Sequence, residues 1–251
     1  MKVVFIVFSP SGHTLVAAQK FMQLLEDNGI SCHMINITKN DKYLQDLTIR
    51  KTLLNDLGEH HLLIPCAPVY AGHCEQNMLR IIRALTREKE KQIPAIPLVT
   101  YGGVHSSVAL EEMGKALNDR GYIPIMGIKI AAEHTLTATF KKQINPGLPG
   151  KVEDQILAEA AEITEKVLND KIAMVNVGKK LAYAPFLKRI MFRSFSQEKI
   201  HGKYKKVAIN TEKCIIAALK EYDIVIFTYE NENETTIKDM LRSKKISQPH
   251  R

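Results

Sequence analysis

The sequence predicts a doubly wound α/β protein built on a parallel sheet, and three observations predict it. Lys2 to Phe8 (KVVFIVF) is a continuous apolar, β-branched run, as expected of a strand buried on both faces of a parallel sheet. It breaks directly into Ser9-Pro10-Ser11-Gly12-His13-Thr14, followed by a helical stretch from Leu15 to Asp27. Four further strand-like runs then alternate with helical ones, the order that βαβ units produce.

Asn28-Gly29 ends the first helix, and Ile30 to Ile37 (ISCHMINI) reads as the second strand. Asp41 to Leu57 places Leu44, Leu47, Leu53, Leu54 and Leu57 at roughly helical spacing. His61 to Cys66 (HLLIPC) predicts a third, short buried strand that opens into the loop Ala67-Pro68-Val69-Tyr70-Ala71-Gly72. Glu75 to Lys89 is expected to be helical, with Met78, Leu79, Ile82 and Leu85 on one face. Ile96 to Thr100 (IPLVT) predicts the fourth strand, ending in Tyr101-Gly102-Gly103. A helix over Ser106 to Arg120 follows, closed by Gly121, then a fifth strand over Tyr122 to Ala132 and a helix over Lys151 to Leu168. The chain shows no internal repeat or low-complexity tract.

The 251 residues suffice for one large domain and an appendage, and 45% hydrophobic with 25% charged residues is a soluble globular composition. There is no run of eighteen apolar residues and no signal-peptide pattern, so the expected location is the cytoplasm. Cys32, Cys66, Cys74 and Cys214 form no CxxC pair, which suits reduced thiols better than a disulfide framework, and no metal site is expected. His60 and His61 with Cys66 form no exception, because adjacent strand residues point to opposite faces. The net charge of +8 gathers in Lys179, Lys180, Lys188, Arg189, Arg193, Lys199, Lys203, Lys205 and Lys206. A solvated basic face is the plain reading, and no nucleic-acid partner is expected. The stretch Lys179 to Gln197 is amphipathic enough for membrane-surface contact, but docking onto the sheet domain or a second subunit, as in a homodimer, is the plainer expectation.

The loops after strands one, three and four fall on one edge of such a sheet, where open α/β folds bind ligands. The first has hydroxyls, a glycine and a helix N-terminus, which suit a monophosphate. It is too short for a Walker A motif and lacks the three glycines of a dinucleotide fingerprint. Capping alone would also account for its Ser and Thr. Tyr70, Tyr101 and the adjoining glycines offer stacking surface and backbone N–H groups to a planar ring such as a flavin.

FSPSGHT resembles the phosphate loop of flavodoxins. PVYAGH, VTYGG and AAEHT (Ala131 to Thr135) resemble the bacterial and archaeal flavodoxin–ferredoxin fusion proteins of anaerobes, over roughly Met1 to Leu168. The resemblance implies a flavodoxin-like five-stranded sheet of order 2-1-3-4-5, carrying FMN. It implies phosphate contacts from Ser9, Ser11, Gly12, His13 and Thr14. Ring and ribityl contacts are implied from Pro68, Val69, Tyr70, Ala71 and Gly72, and from Thr100, Tyr101, Gly102 and Gly103. Gly103 stands where relatives often carry Asn. The resemblance also suggests a role for Glu133 and His134 near the flavin edge.

Three regions are expected: a flavodoxin-like FMN-binding domain over 1–170, a basic linker or amphipathic helix over 171–206, and a tail over 207–251. Val207 to Ile216 resembles the opening of the fusion family's ferredoxin module up to its first cysteine, Cys214, and no further cysteine follows. One thiolate cannot hold an iron–sulfur cluster, so the tail reads as a ferredoxin remnant or a replacement; Asp223 to Tyr229 would form a strand in it. Function then divides three ways: an FMN protein that transfers electrons or reduces a small acceptor, a binding module without redox chemistry, or an NAD(P)H-dependent quinone or flavin reductase. With His73, His105 and Arg80 near the loops and a basic chain, the expected redox partner is acidic, or the acceptor an anionic small molecule.

Overall fold

The structure is a computed structural model of the chain. It describes residues 1–194 apart from 39, 45, 86–91, 103–104 and 134–150. The chain divides into a unit of Met1–Gln197 and a second of Glu198–Arg251. The expectations for Cys214, for the ferredoxin-like stretch and for the Asp223–Tyr229 strand lie outside the described residues, as do those for Gly103 and His134.

The central strand β1 (Lys2–Val7) pairs in parallel with β2 (Ser31–Asn36) on one side and β3 (Leu62–Tyr70) on the other. Beyond β3 the fourth ribbon consists of β5 (Ile93–Ala95) and β6 (Leu98–Tyr101), and the fifth of β7 (Tyr122–Pro124) and β8 (Ile128–Ala131). The parallel order is therefore 2-1-3-4-5, with the last two positions each in two pieces. This corrects the single strands expected over Ile96–Thr100 and Tyr122–Ala132. Pro94, Pro97 and Pro124 cannot donate ladder hydrogen bonds. Between the pairs Ala95↔Pro124 and Leu98↔Ile128 the fifth ribbon also carries one residue more than the fourth, a bulge that ends at Gly127.

Strand β3 runs on to Tyr70 rather than stopping at Cys66, so Pro68, Val69 and Tyr70 are strand residues and not loop. The reason is a small antiparallel hairpin: β4 (His73–Cys74) folds back on β3, with Val69 opposite Cys74 and Tyr70 opposite His73. Ala71 (φ 49°) and Gly72 (φ 81°) form its two-residue turn, positive φ at both positions being the type I′ pattern.

Helices cover both faces. Helix α1 (His13–Asp27) and α6 (Lys151–Leu168) pack on one face, where Val3, Phe5 and Val7 meet Ala17, Phe21, Leu157 and Ala161. Phe5 and Phe21 meet edge to face at 5.8 Å. On the other face Val4 and Ile6 join Leu53 and Leu57 of α3 (Asp46–Leu57), Met78 and Ile82 of α4 (Gln76–Ala84), and Met113 and Leu117 of α5 (Ala109–Asn118). A one-turn helix α2 (Asp41–Leu44) precedes α3. Period-two alternation divides β1 between two cores, which is why its sequence is apolar throughout. No described helix is long and apolar enough to cross a membrane.

After α6 the chain returns over the fifth ribbon. The Val177 amide donates to the Pro124 carbonyl at 2.8 Å, and Leu181 sits buried against Gly114 and Gly127. A Cβ on either glycine would come within 2.6 Å of a Leu181 methyl, so the two form a socket for that side chain. Helix α7 (Phe186–Ser194) follows, later than the stretch Lys179 to Gln197 predicts because residues 178–181 form a turn and Pro185 stands at the helix start.

Candidate functional site

The loop after β1 is organised by its own side chains. The Ser9 hydroxyl accepts the Leu15 amide at 2.9 Å, and the Ser9 amide donates to Thr38 Oγ1 at 2.8 Å, which ties the loop to the end of β2. Gly12 is the N-cap of α1, with φ 85° and no side-chain cap. Its position in the left-handed region turns the chain into the helix without a Cβ. His13 and Thr14 thus belong to the first helical turn, two residues earlier than the predicted start. No hydrogen bond to their amides is present among the described residues, and the first turn holds no acidic residue. Free amides at a helix N-terminus without competing carboxylates suit an anion. Ser11 is exposed at the tip, whereas Ser9 and Thr14 are buried. Thr14 Oγ1 and Thr100 Oγ1 share a hydrogen bond of 2.7 Å that ties this loop to β6.

The other predicted residues stand on the same edge. Pro68 is the register partner of Thr100, so Tyr70 and Tyr101 occupy the ends of adjacent strands. Tyr70 is exposed, Tyr101 and Gly102 are partly exposed, and Thr100 is buried beneath them. The structure therefore brings Ser9 to Thr14, Pro68 to Gly72, and Thr100 to Gly102 to one sheet edge. Glu133 is exposed just past β8.

The hairpin turn is held from below by groups that the sequence did not single out. Glu112 of α5 accepts the Cys74 amide at 2.9 Å and binds His73 Nδ1 at 2.7 Å. The Val108 amide donates to the Gly72 carbonyl at 3.0 Å. Glu75 caps α4 by accepting the Met78 amide at 3.0 Å, and burial raises its carboxyl above the usual range. Two acidic groups, Glu112 and Glu75, thus lie beside the loops together with the expected His73 and His105. Arg80 donates to the Tyr43 carbonyl at 3.0 Å, and its charge acts on the Glu75 carboxyl. No sequence signal marks Glu112, whose partners come from another element.

From the C-terminal side, the Phe192 ring lies on Gly72, next to the rings of His73 (6.1 Å between centroids) and His105 (5.1 Å). The Tyr183 hydroxyl bonds Ser106, and Arg189 grips Glu111 through two bonds of 2.8 and 2.5 Å. Phe186, Leu187, Ile190 and Met191 of the same helix stay exposed.

Cys32, Cys66 and Cys74 are free thiols. Burial raises all three, Cys32 to about 12 and the enclosed Cys66 and Cys74 well above their ordinary value, so none is a thiolate at neutral pH. His60 stacks on Tyr122 at 5.9 Å, His61 accepts the Lys2 amide, and Cys66 lies in the α1/α6 core. Among the described residues no three His, Cys, Asp or Glu converge as metal ligands.

No family model matches the chain, and no curated protein matches it. Among solved structures it is similar to the rubredoxin oxygen:oxidoreductase of the anaerobe Desulfovibrio gigas, at 13% identity over 68% of this chain and TM-score 0.49. The match spans only 37% of that oxidoreductase. It is also similar to two-electron reduced flavodoxin from Megasphaera elsdenii, at 13% identity over 64% of this chain and 98% of that one, TM-score 0.45. Oxidised Flavodoxin 1 from Bacillus cereus gives 14% identity over 66% of this chain and 99% of that one, TM-score 0.47. At these identities and TM-scores no ligand or residue role follows from the likeness. The topology itself defines the class: a doubly wound α/β protein with the flavodoxin-like order 2-1-3-4-5.

Proposed function

We propose that the chain binds FMN at the C-terminal edge of β1, β3 and β6 and acts as an electron-transfer flavoprotein or as a reductase of a small acceptor. The observation that carries this reading is the Gly12-capped helix start, with open amides and no first-turn acid, on the edge that also bears Tyr70 and Tyr101. In this reading Ser11, Gly12, His13 and Thr14 hold the phosphate, with Ser9 shaping the loop from inside. Pro68 to Gly72 and Thr100 to Gly103 flank the ring and ribityl chain. The likeness of PVYAGH and VTYGG to the flavodoxin–ferredoxin fusion proteins supports the same assignment, with 207–251 as a remnant of the second module or a replacement for it.

Bound flavin supplies the redox chemistry, accepting and returning one or two electrons. The chain's own part is binding and tuning. The α1 N-terminus neutralises part of the phosphate charge, and the Thr14–Thr100 bond keeps the loop at a fixed distance from β6. Of the hairpin turn, Ala71 stands exposed and would face the ring, whereas Gly72 lies buried beneath Phe192 and would shape the site from below. Burial holds Cys66 and Cys74 as thiols rather than thiolates at neutral pH. The net charge of +8 favours an acidic partner protein or an anionic acceptor.

An absorption spectrum of the full chain, as purified and after addition of FMN, tests the proposal. The two visible bands of oxidised flavin, retained through gel filtration and released on heating as the mononucleotide, are the expected result. A colourless chain that does not retain FMN rejects the flavin reading and leaves a binding module without redox chemistry. Anaerobic bleaching of the bound flavin by NADH or NADPH would select the reductase over the electron carrier.

A further inference from the structure

We infer that residues 177–194 form part of the flavin site, as a clasp that holds the two loops flanking the ring. The inference rests on the proposed function and adds residues to it: Tyr183, Arg189 and Phe192 act as positioning residues.

Three independent contacts converge. Phe192 lies on the hairpin turn itself. A Cβ on Gly72 would meet Phe192 Cε1 at 2.6 Å and Ser107 Cβ at 3.0 Å, so the turn is wedged between the C-terminal helix and the start of the α5 segment. Tyr183 bonds Ser106, within the connection from β6 to α5, and the Lys129 ammonium sits 4.4 Å from the centre of its ring. Arg189 holds Glu111 in a two-point bond, next in sequence to Glu112, which itself secures His73 and Cys74. Every contact thus ends on the β3–β4 turn, on the loop after β6, or on the helix that supports both.

Such an arrangement has a chemical consequence. A turn with positive φ at a non-glycine residue, Ala71, is strained and persists only where its surroundings hold it. The clasp supplies that hold from outside the sheet, and the Phe192 ring adds an apolar wall beside His105. Ring binding then depends on the C-terminal segment, whereas phosphate binding does not. Loss of the clasp should weaken every ligand that carries the isoalloxazine ring, with or without a phosphate.

The experiment titrates the full chain and its Phe192→Ala and Tyr183→Phe variants with FMN and with riboflavin, following the visible bands, with circular dichroism as the check on folding. Tyr183→Phe removes one hydroxyl and keeps the ring, so it serves where Phe192→Ala disturbs folding. Phe192→Ala is expected to weaken both ligands by about tenfold and to move the bands of bound FMN toward those of free FMN in water. Tyr183→Phe is expected to weaken both by about threefold. Folded variants with unchanged affinities and bands would overturn the clasp while leaving the flavin reading intact. Weakened FMN with unchanged riboflavin would also overturn it, placing the effect at the phosphate loop. Failure of the unaltered chain to bind FMN would overturn both.

Discussion

The two ends of the proposed flavin site are built in opposite ways. At the proposed phosphate end, the loop is shaped by neighbours in sequence: the Ser9 hydroxyl accepts the Leu15 amide, Gly12 turns the chain, and His13 opens the helix. From elsewhere in the chain Thr38 and Thr100 reach it. At the ring end, a two-residue turn is held by Glu112, Val108 and Phe192, which come from two separate helical segments. The first end is a local device with open space at Gly12, and the second is a tertiary one packed closely around Gly72. Gly12 and Gly72 make the contrast concrete. Both have φ above 80°, yet an added Cβ at Gly12 meets nothing within 4 Å while one at Gly72 runs into Phe192.

The largest effect should come from removing what anchors the ring end. Leu181→Ala empties the socket at Gly114 and Gly127 and should cost about 3 kcal/mol, read from the urea midpoint. Retention of wild-type stability would show that residues 177–194 are not held by that socket.

The next test compares the glycines directly. Gly72→Ala should cost about 2 kcal/mol and Gly12→Ala about 1 kcal/mol, because only the former adds a clash to the cost of a left-handed backbone. In a Phe192→Ala background the difference should shrink to the remainder left by the Ser107 Cβ, 3.0 Å from the added methyl. An undiminished difference there would mean that Phe192 is not what crowds Gly72.

A charge change should then separate the ends by ligand. Ser11→Glu places a carboxylate at the exposed loop tip and should weaken FMN about tenfold, less at high salt, while riboflavin binding stays unchanged. Stability should not fall, since an acid is favourable at a helix N-terminus. Equal loss of both ligands would argue that the phosphate does not sit in this loop.

The smallest expected signal is an absence of reaction. With their pKa values raised, Cys32, Cys66 and Cys74 remain protonated as pH rises from 7 to 9, so iodoacetamide should leave them unmodified in the native chain. Peptide mapping by mass spectrometry checks this, and labelling of Cys74 at pH 8 would show that the β3–β4 region opens readily.

Fold class and the local build of the loop after β1 were legible in the residues alone. Buried parallel strands must be apolar on both faces, and Lys2 to Phe8 shows this without reference to any partner. That a helix follows the Ser9–Thr14 loop was legible because Ser9 and Gly12 act within a few residues, although α1 begins at His13 rather than at Leu15. Tyr70, Tyr101 and their glycines were placed on the correct edge because a parallel βαβ chain puts the loops after its strands on one side. The tertiary structure alone decided that β3 continues into a hairpin, that prolines divide the fourth and fifth ribbons, and that Phe192, Tyr183 and Arg189 close on the ring loops. Those outcomes depend on contacts between segments far apart in the chain, where a phenylalanine or an arginine in an amphipathic stretch has no preferred partner until packing supplies one. Periodicity shows that Lys179 to Gln197 has an apolar face; it took the packed domain to turn Phe192 inward and leave Phe186 and Leu187 in solvent.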